Sequence, residues 1–292
     1  MIGLIIGMTQ PVAIAIKAFV KRTIQMTTEH FPSALKLQDK VLLPIRLGCS
    51  GDQIWQVFAP GAETPLAYLK QATDPYRVTQ LRQERDVLHW LKESLSAQTE
   101  HKWQVPQILG YLESESATYL LSSALNGPGA HEAISASQRP AQLKQMAAAL
   151  SALHQMPVAD CPFDTRLETK LKQAKANWLA GRVDQSDLDD ERLGTPISAL
   201  YQRLLDQRPT ETKLVFTHGD ACLPNLILTD PPGWIDWSRA GLADPWQDLA
   251  LFCRSLKHNG YQQTEIEAAL QAYGVRFDPA AYDYYTLLDE FF

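Results

Sequence analysis

The stretch THGDACLPNLILTDPPGWIDW, residues 217–237, gathers two carboxylates and an amide around one turn. Asp220 follows a His-Gly pair, Asn225 comes five residues later, and Asp236 lies at the end of the second apolar run. NLILT, DPPG and WIDW read as strand, turn and strand. A hairpin folded about Asp230–Gly233 is expected to bring Asn225, at the start of its first strand, beside Asp236 near the end of its second. Two oxygen ligands converging in this way suit Mg²⁺, which takes a few protein oxygens and completes its shell with water and phosphate oxygens. Asp220, on the loop before, is offset enough to act as a base.

These groups need elements to hold them, and the chain supplies strands first and helices later. VLLPIRLGCSGDQIWQVFAP reads as two strands joined at the Gly48–Asp52 turn, TPLAYLKQ as a third and TYLLSSAL as a further one. VTQLRQERDVLHWLKESL is a helix between them. From about Ala130 the pattern changes: Leu143, Met146, Ala147, Leu150 and Leu153 recur at helical spacing. ETKLKQAKANWLAG, PWQDLALFCRSLKH, TEIEAALQAYG and AAYDYYTLLDEFF read as helices too. The order implies an α+β protein of two lobes, residues 26–125 and 126–292, and a small-molecule site is expected in the cleft of such a protein.

Within the first lobe, strand alternation puts Leu66, Tyr68 and Lys70 on one face and Ala67 and Leu69 on the other. In the helix that follows, Glu84 falls on the stripe marked by Leu81, Leu88 and Leu91. An unpaired carboxylate on an inward face would cost several kcal/mol or be forced neutral. A Lys70–Glu84 pair is therefore expected, although taken alone the two residues also fit a surface lysine and a peripheral glutamate. No G-x-x-x-x-G-K-[ST] sequence occurs, which excludes a P-loop.

Composition narrows the partners. The chain has 292 residues, 45% hydrophobic and 21% charged, with a net charge of -6, which argues against sequence-independent binding to nucleic acid. Four cysteines without metal spacing read as reduced thiols in a reducing, cytoplasmic compartment. The apolar start MIGLIIGMTQPVAIAIKAFVKR is interrupted by Thr9, Gln10, Pro11 and Lys17 and has its positive charges after the apolar run, which supports a secretory signal poorly. It falls short of a clean membrane span, a membrane anchor stays open, and residues 1–25 are expected to be an extension outside the folded body.

Asp-x-x-x-x-Asn, with a His two residues before the Asp and a metal-binding Asp on the next hairpin, is the arrangement of a protein kinase catalytic loop, with Gly219 here in place of Arg. VFTHGDACLPNLIL, GWIDWSRAGLADPWQDLAL and LLDEFF closely resemble the aminoglycoside 3'-phosphotransferases, kinase-like enzymes of antibiotic resistance. The resemblance is dense from Asp187 onward and thinner in the first lobe, where GCS, YLK and ERDVLHWL line up. It implies a two-lobed protein-kinase-like fold, ATP and Mg²⁺ as cofactors, and an aminoglycoside as the small-molecule partner of a monomer or weak dimer. Asp220 would orient the substrate hydroxyl and take its proton, Asn225 and Asp236 would hold Mg²⁺, and Lys70 would hold the α- and β-phosphates with Glu84 holding the lysine. Tyr68 would stack on adenine, the backbone near Ser123 and Leu125 would meet its edge, and Ser50 would meet the phosphates. On the substrate side the resemblance implicates Asp187, Asp189, Asp190, Arg239, Arg254, Glu290 and the terminal carboxylate of Phe292. His258, Asn259 and Ser255 stand where relatives often carry acids, Ser238 replaces a glycine and Trp237 is bulkier than usual.

DQSDLDDE, residues 184–191, packs five acids into eight residues; read without the resemblance it is a solvated loop. With it, the loop becomes an acidic rim for a polyamine sugar. His154 and His131 read as structural, and Asp244 and Asp248 as braces for the loop. Two rival activities remain open at this point: a related kinase acting on a macrolide or choline-like amine, and a metal hydrolase built from His218, Asp220, Asp236, Asp244 and His258.

Overall fold

A computed structural model describes residues 31–45, 53–96, 102–132, 134–210 and 213–292. The expected N-terminal extension and the Gly48–Asp52 turn, with Ser50, lie outside the described residues. The chain divides into two compact units, one of residues up to 85 with 106–126 and one of 86–105 with 127–292.

In the first unit β1 (Val41–Ile45), β2 (Gln53–Phe58), β3 (Ala67–Ala72), β4 (Ile108–Glu113) and β5 (Thr118–Ser123) form an antiparallel sheet in the order β1-β2-β3-β5-β4. Alternation along β3 buries Ala67 and Leu69 completely, against Leu42, Trp55, Val57 and Leu121, and leaves Tyr68 and Lys70 on the other face. The sequence reading passed over β4. Its burial does not alternate cleanly, and a register shift between Ile108 and Gly110 disrupts the period-two signal. Helix α1 (Pro75–Ser96) starts where Asp74 Oδ1 accepts the N–H groups of Tyr76 at 2.9 Å and Arg77 at 3.2 Å. Pro75 follows at the first helical position, where a missing N–H costs nothing.

The second unit is mostly helical: α2 (Arg139–His154), α3 (Leu167–Leu179), α4 (Ile197–Asp206), α5 (Trp246–His258), α6 (Gln263–Tyr273) and α7 (Pro279–Asp289). The stripe read in α2 is buried as expected. Helix α4 was not anticipated, although Ile197, Leu200, Tyr201 and Leu204 recur at helical spacing and are all buried. Two small antiparallel ladders complete the unit, β6 (Val215–Thr217) with β9 (Gly241–Ala243) and β7 (Leu226–Ile227) with β8 (Gly233–Trp234).

The β7–β8 ladder corrects the expected hairpin. Only two residues pair on each side, and Asn225 ends a 3-10 turn (Leu223–Asn225) instead of opening a strand. Pro224 sits at the start of that turn, while Pro231 and Pro232, lacking N–H groups, cannot extend the ladder. On the other side Asp236 adopts φ 66°, which ends any extended run after Trp234.

Helix α7 docks as its apolar residues suggested. Tyr284, Leu287, Leu288 and Phe291 pack with Leu167, Leu171, Leu200, Leu204 and Ala250. Asn177 Nδ2 donates to the Phe291 carbonyl at 2.8 Å, fixing the chain end to α3. Among the described residues no helix is long and apolar enough to cross a membrane. Leu287 is fully buried, so Leu287→Ala should lower unfolding free energy by about 3 kcal/mol in urea titration. An unchanged midpoint would show that α7 is not part of the cooperative core.

Candidate active site

The loop carrying Asp220 is held from beneath by one carboxylate. Asp248, in the first turn of α5, is fully buried. Its Oδ2 accepts the His218 N–H at 2.6 Å and its Oδ1 the Gly219 N–H at 2.7 Å. His154 Nε2 lies 3.0 Å from Oδ2, and Tyr273 Oη lies 2.7 Å from His154 Nδ1. Burial alone would raise the Asp248 carboxyl, but hydrogen bonding and charge from His154 and the His218 N–H outweigh it and hold the group below its ordinary value. This is the bracing role read for Asp248, with His154 as its structural partner.

The His218 ring donates through Nε2 to the Ile235 carbonyl at 2.9 Å and packs against Trp234 and Trp237 at centroid distances of 5.2 and 4.6 Å. The bulk of Trp237 is thus used: it is fully buried, stacked on Phe216 and tilted against Trp103. Gly219 has φ 80°, and a Cβ there would fall 2.0 Å from the Arg239 carbonyl oxygen. No side chain fits, which is why this loop cannot carry the arginine of the protein kinase pattern.

Asp220 and Asn225 meet directly. Asn225 Nδ2 donates to Asp220 Oδ2 at 2.9 Å and to the Asp220 carbonyl at 3.0 Å, which leaves the Asn225 Oδ1 as an acceptor. The Leu223 N–H donates to Ser255 Oγ at 2.9 Å, so the neutral serine positions the 3-10 turn. The Ile235 N–H donates to the Asn225 carbonyl at 2.9 Å, placing Asp236 one residue beyond a direct bond to Asn225. Asp236 holds its left-handed conformation at a cost on the order of 1 kcal/mol, a strain typical of functional positions. Ser238 Oγ lies 3.3 Å from Asp236 Oδ1. An amide oxygen and a carboxylate form a hard oxygen donor set that fits Mg²⁺. Among the described residues no group of three or more His, Cys, Asp or Glu side chains could hold a metal, so the hydrolase constellation is not assembled.

In the first unit Lys70 Nζ donates to both Glu84 oxygens at 2.8 Å, with both side chains largely buried. Tyr68, on the same strand face, lies 3.5 Å through its Oη from Gln56 Nε2. Ser123 ends β5, its Oγ accepting the Gln107 N–H at 2.9 Å, and Leu125 is half-buried just beyond.

The residues implicated on the substrate side are engaged more with one another than the sequence suggested. Asp187 and Asp190 are exposed on the acidic loop and Asp189 is half-buried. Arg239 and Arg254 both donate to Asp289, which sequence reasoning missed although it stands beside Glu290. Burial alone would raise the Asp289 carboxyl; the two guanidiniums outweigh it and bring it down to about 2. Glu290 accepts from Arg192, a second residue not singled out from sequence. Phe292 is half-buried, with Lys170 Nζ 4.4 Å and the Arg239 guanidinium 5.2 Å from its ring centre. Burial, aided by the charge of Arg239, pushes the Lys170 ammonium down to about 7.

Residues 45–285 match the model of the phosphotransferase enzyme family APH. The chain belongs to this family. It is 38% identical over 272 residues to an aminoglycoside 3'-phosphotransferase of Niallia circulans, covering 91% of this chain and 99% of that one. The crystal structure of an aminoglycoside-3'-phosphotransferase of type VIII has a TM-score of 0.76 at 28% identity and covers 97% of this chain and 100% of its own. A Streptomyces rimosus aminoglycoside phosphotransferase, APH(3''), in complex with ADP and streptomycin has a TM-score of 0.75 at 26% identity and covers 91% of this chain and 98% of its own. The fold is the kinase-like α+β fold of these phosphotransferases, and the chain is an enzyme of that type.

Two changes beneath Asp220 that leave its carboxylate intact are expected to disturb where the loop places it. Gly219→Ala should cut kcat by about 100-fold in a folded protein, because the loop must shift away from the Arg239 carbonyl. Asp248→Asn should lose about 3 kcal/mol in denaturant titration, since an amide cannot accept both N–H groups through oxygens. Because the Asp248 carboxyl is depressed, its contribution is complete above the ordinary value of 3.8 and is lost as pH falls below it. The variant's acid limb of stability should therefore be flatter, and an acid limb matching the parent would refute the bracing role.

Proposed function

We propose that this phosphotransferase moves the γ-phosphoryl group of ATP to a hydroxyl of an aminoglycoside, the 3'-hydroxyl by analogy with its curated relatives, and so confers resistance. The observation that carries the reading is the Asp248-braced loop that presents Asp220 in contact with Asn225, within a chain of this family. The substrate hydroxyl oxygen forms a bond to the γ-phosphorus as the bond to the β-phosphate oxygen breaks. Its proton passes to the Asp220 carboxylate, and ADP leaves. Positioning and electrostatic stabilisation do most of the catalysis in such a transfer.

Lys70, held by Glu84 at 2.8 Å, neutralises the α- and β-phosphates. Tyr68 stacks on adenine, the backbone near Ser123 and Leu125 meets the base edge, and Ser50 meets the phosphates. Asn225 Oδ1 and Asp236 would hold Mg²⁺, which when bound neutralises the phosphate charge. Asp187, Asp189, Asp190, Glu290 and the terminal carboxylate of Phe292 take the ammonium groups of the drug. Arg239 and Arg254 act on that side by holding Asp289 in place. An ATP-consuming reaction assigns the enzyme to the cytoplasm.

Purified protein incubated with ATP, Mg²⁺ and kanamycin or neomycin should yield the drug one phosphate heavier by mass spectrometry, with NMR locating the phosphate on the 3'-oxygen. Asp220→Ala should lower kcat by roughly three orders of magnitude while leaving ATP affinity nearly unchanged. Turnover of a macrolide or choline in place of the aminoglycosides would overturn the substrate assignment, and an active Asp220→Ala enzyme the mechanism.

A further inference from the structure

Arg192 follows the acidic loop, and its side chain is only 4% exposed. Its Nη1 donates to Asp189 Oδ2 at 2.7 Å and to Glu290 Oε1 at 2.8 Å. Its Nη2 donates to Thr286 Oγ1 at 2.8 Å, and to the carbonyl and Oδ1 of Asp283 at 3.2 and 3.3 Å. One guanidinium thus ties the loop to α7 and to the residue just after it, 101 residues apart where the Asp189 N–H also donates to Glu290 Oε1 at 3.1 Å. The planar fork makes this possible; a lysine ammonium could not reach both acids and the hydroxyl in one geometry.

Stability alone does not account for the arrangement, since a buried ion cluster is often matched by apolar packing of the same volume. The oxygens not bonded to Arg192 are more telling. Among the described residues, Asp189 Oδ1 and Glu290 Oε2 make no hydrogen bond, while their twin oxygens are spent on Arg192. Burial pushes the Glu290 carboxyl above its ordinary value despite that arginine, so a further cation beside it would be favoured.

We propose that Arg192 is a positioning residue for the substrate: by holding one oxygen of Asp189 and one of Glu290, it presents the other oxygen of each to a single ammonium group of the aminoglycoside. The inference rests on the function proposed above and adds to it a residue that touches no substrate. Arg192 acts only through the two acids, so its effect falls on drug binding and spares both the phosphoryl step and the nucleotide.

The test compares Arg192→Lys and Thr286→Val with the parent enzyme in steady-state kinetics with kanamycin. Arg192→Lys keeps the charge and loses the fork; it should raise KM for kanamycin about tenfold with kcat within about twofold and KM for ATP unchanged. Thr286→Val removes one bond to Nη2 without altering any charge, and should raise KM for kanamycin about threefold. Circular dichroism identifies folded variants, and if Arg192→Lys does not fold, Thr286→Val decides. A folded variant with the parent's KM for kanamycin, or one that loses kcat with KM intact, would overturn the proposal. A parent enzyme that phosphorylates no aminoglycoside would instead overturn the proposed function, and this inference with it.

Discussion

A single carboxylate buried at the base of the loop that carries Asp220 would be costly were it not given three partners at once. Asp248 is fully enclosed, and the N–H groups of His218 and Gly219, together with His154, replace the hydration it has lost. Two consecutive N–H groups can converge on one carboxylate only if the backbone turns sharply between them. Gly219 supplies that turn at φ 80°, against the Arg239 carbonyl, where any Cβ would collide. From this fixed point the next residue, Asp220, projects towards Asn225, and the ring of His218 is locked between Trp234 and Trp237. Asp220 therefore stands on a backbone held from beneath by Asp248 and hemmed in at Gly219 by the Arg239 carbonyl.

The chain end shows the same physics with more charges. Asp289 is neutralised by Arg239 and Arg254, and Arg192 is shared by Asp189, Asp283 and Glu290. Below this lattice of ion pairs lies an apolar layer of Leu287, Leu288 and Phe291, while Asn177 satisfies the Phe291 carbonyl. Apolar burial and a satisfied Phe291 carbonyl hold residues 284–291 against α3 and α4.

Much of this was open to reading along the chain. The alternation of LAYLK put Lys70 and Tyr68 on one face, and the stripe in the following helix required a cation for Glu84; both features are present, with the pair at 2.8 Å. The spacing of His218, Asp220 and Asn225 marked the loop on which Asp220 and Asn225 meet, and an acid in the first turn of a helix marked Asp248 as its brace. The readings that failed did so for local reasons. Strand β4 hides its period behind a register shift, and the hairpin at Asp230–Gly233 is shortened by prolines and by the left-handed Asp236. Helix α4 carries a sound apolar pattern in Ile197, Leu200, Tyr201 and Leu204, but spans only ten residues.

Side-chain period, turn chemistry and motif spacing act over a few residues, and so the order of residues alone was enough to place most of the helices and strands and to show which way Lys70 faces. Charge pairing obeys a different rule, because Coulomb attraction depends on distance through space and on how much water is excluded. His154 and Asp248 are 94 residues apart in the chain, Arg192 and Glu290 are 98 apart, and Arg254 and Asp289 are 35 apart. No periodicity could have matched those partners; only the packing of α2, α5 and α7 brought them within reach of each other. The folded arrangement therefore decided which acids are consumed in holding the protein together.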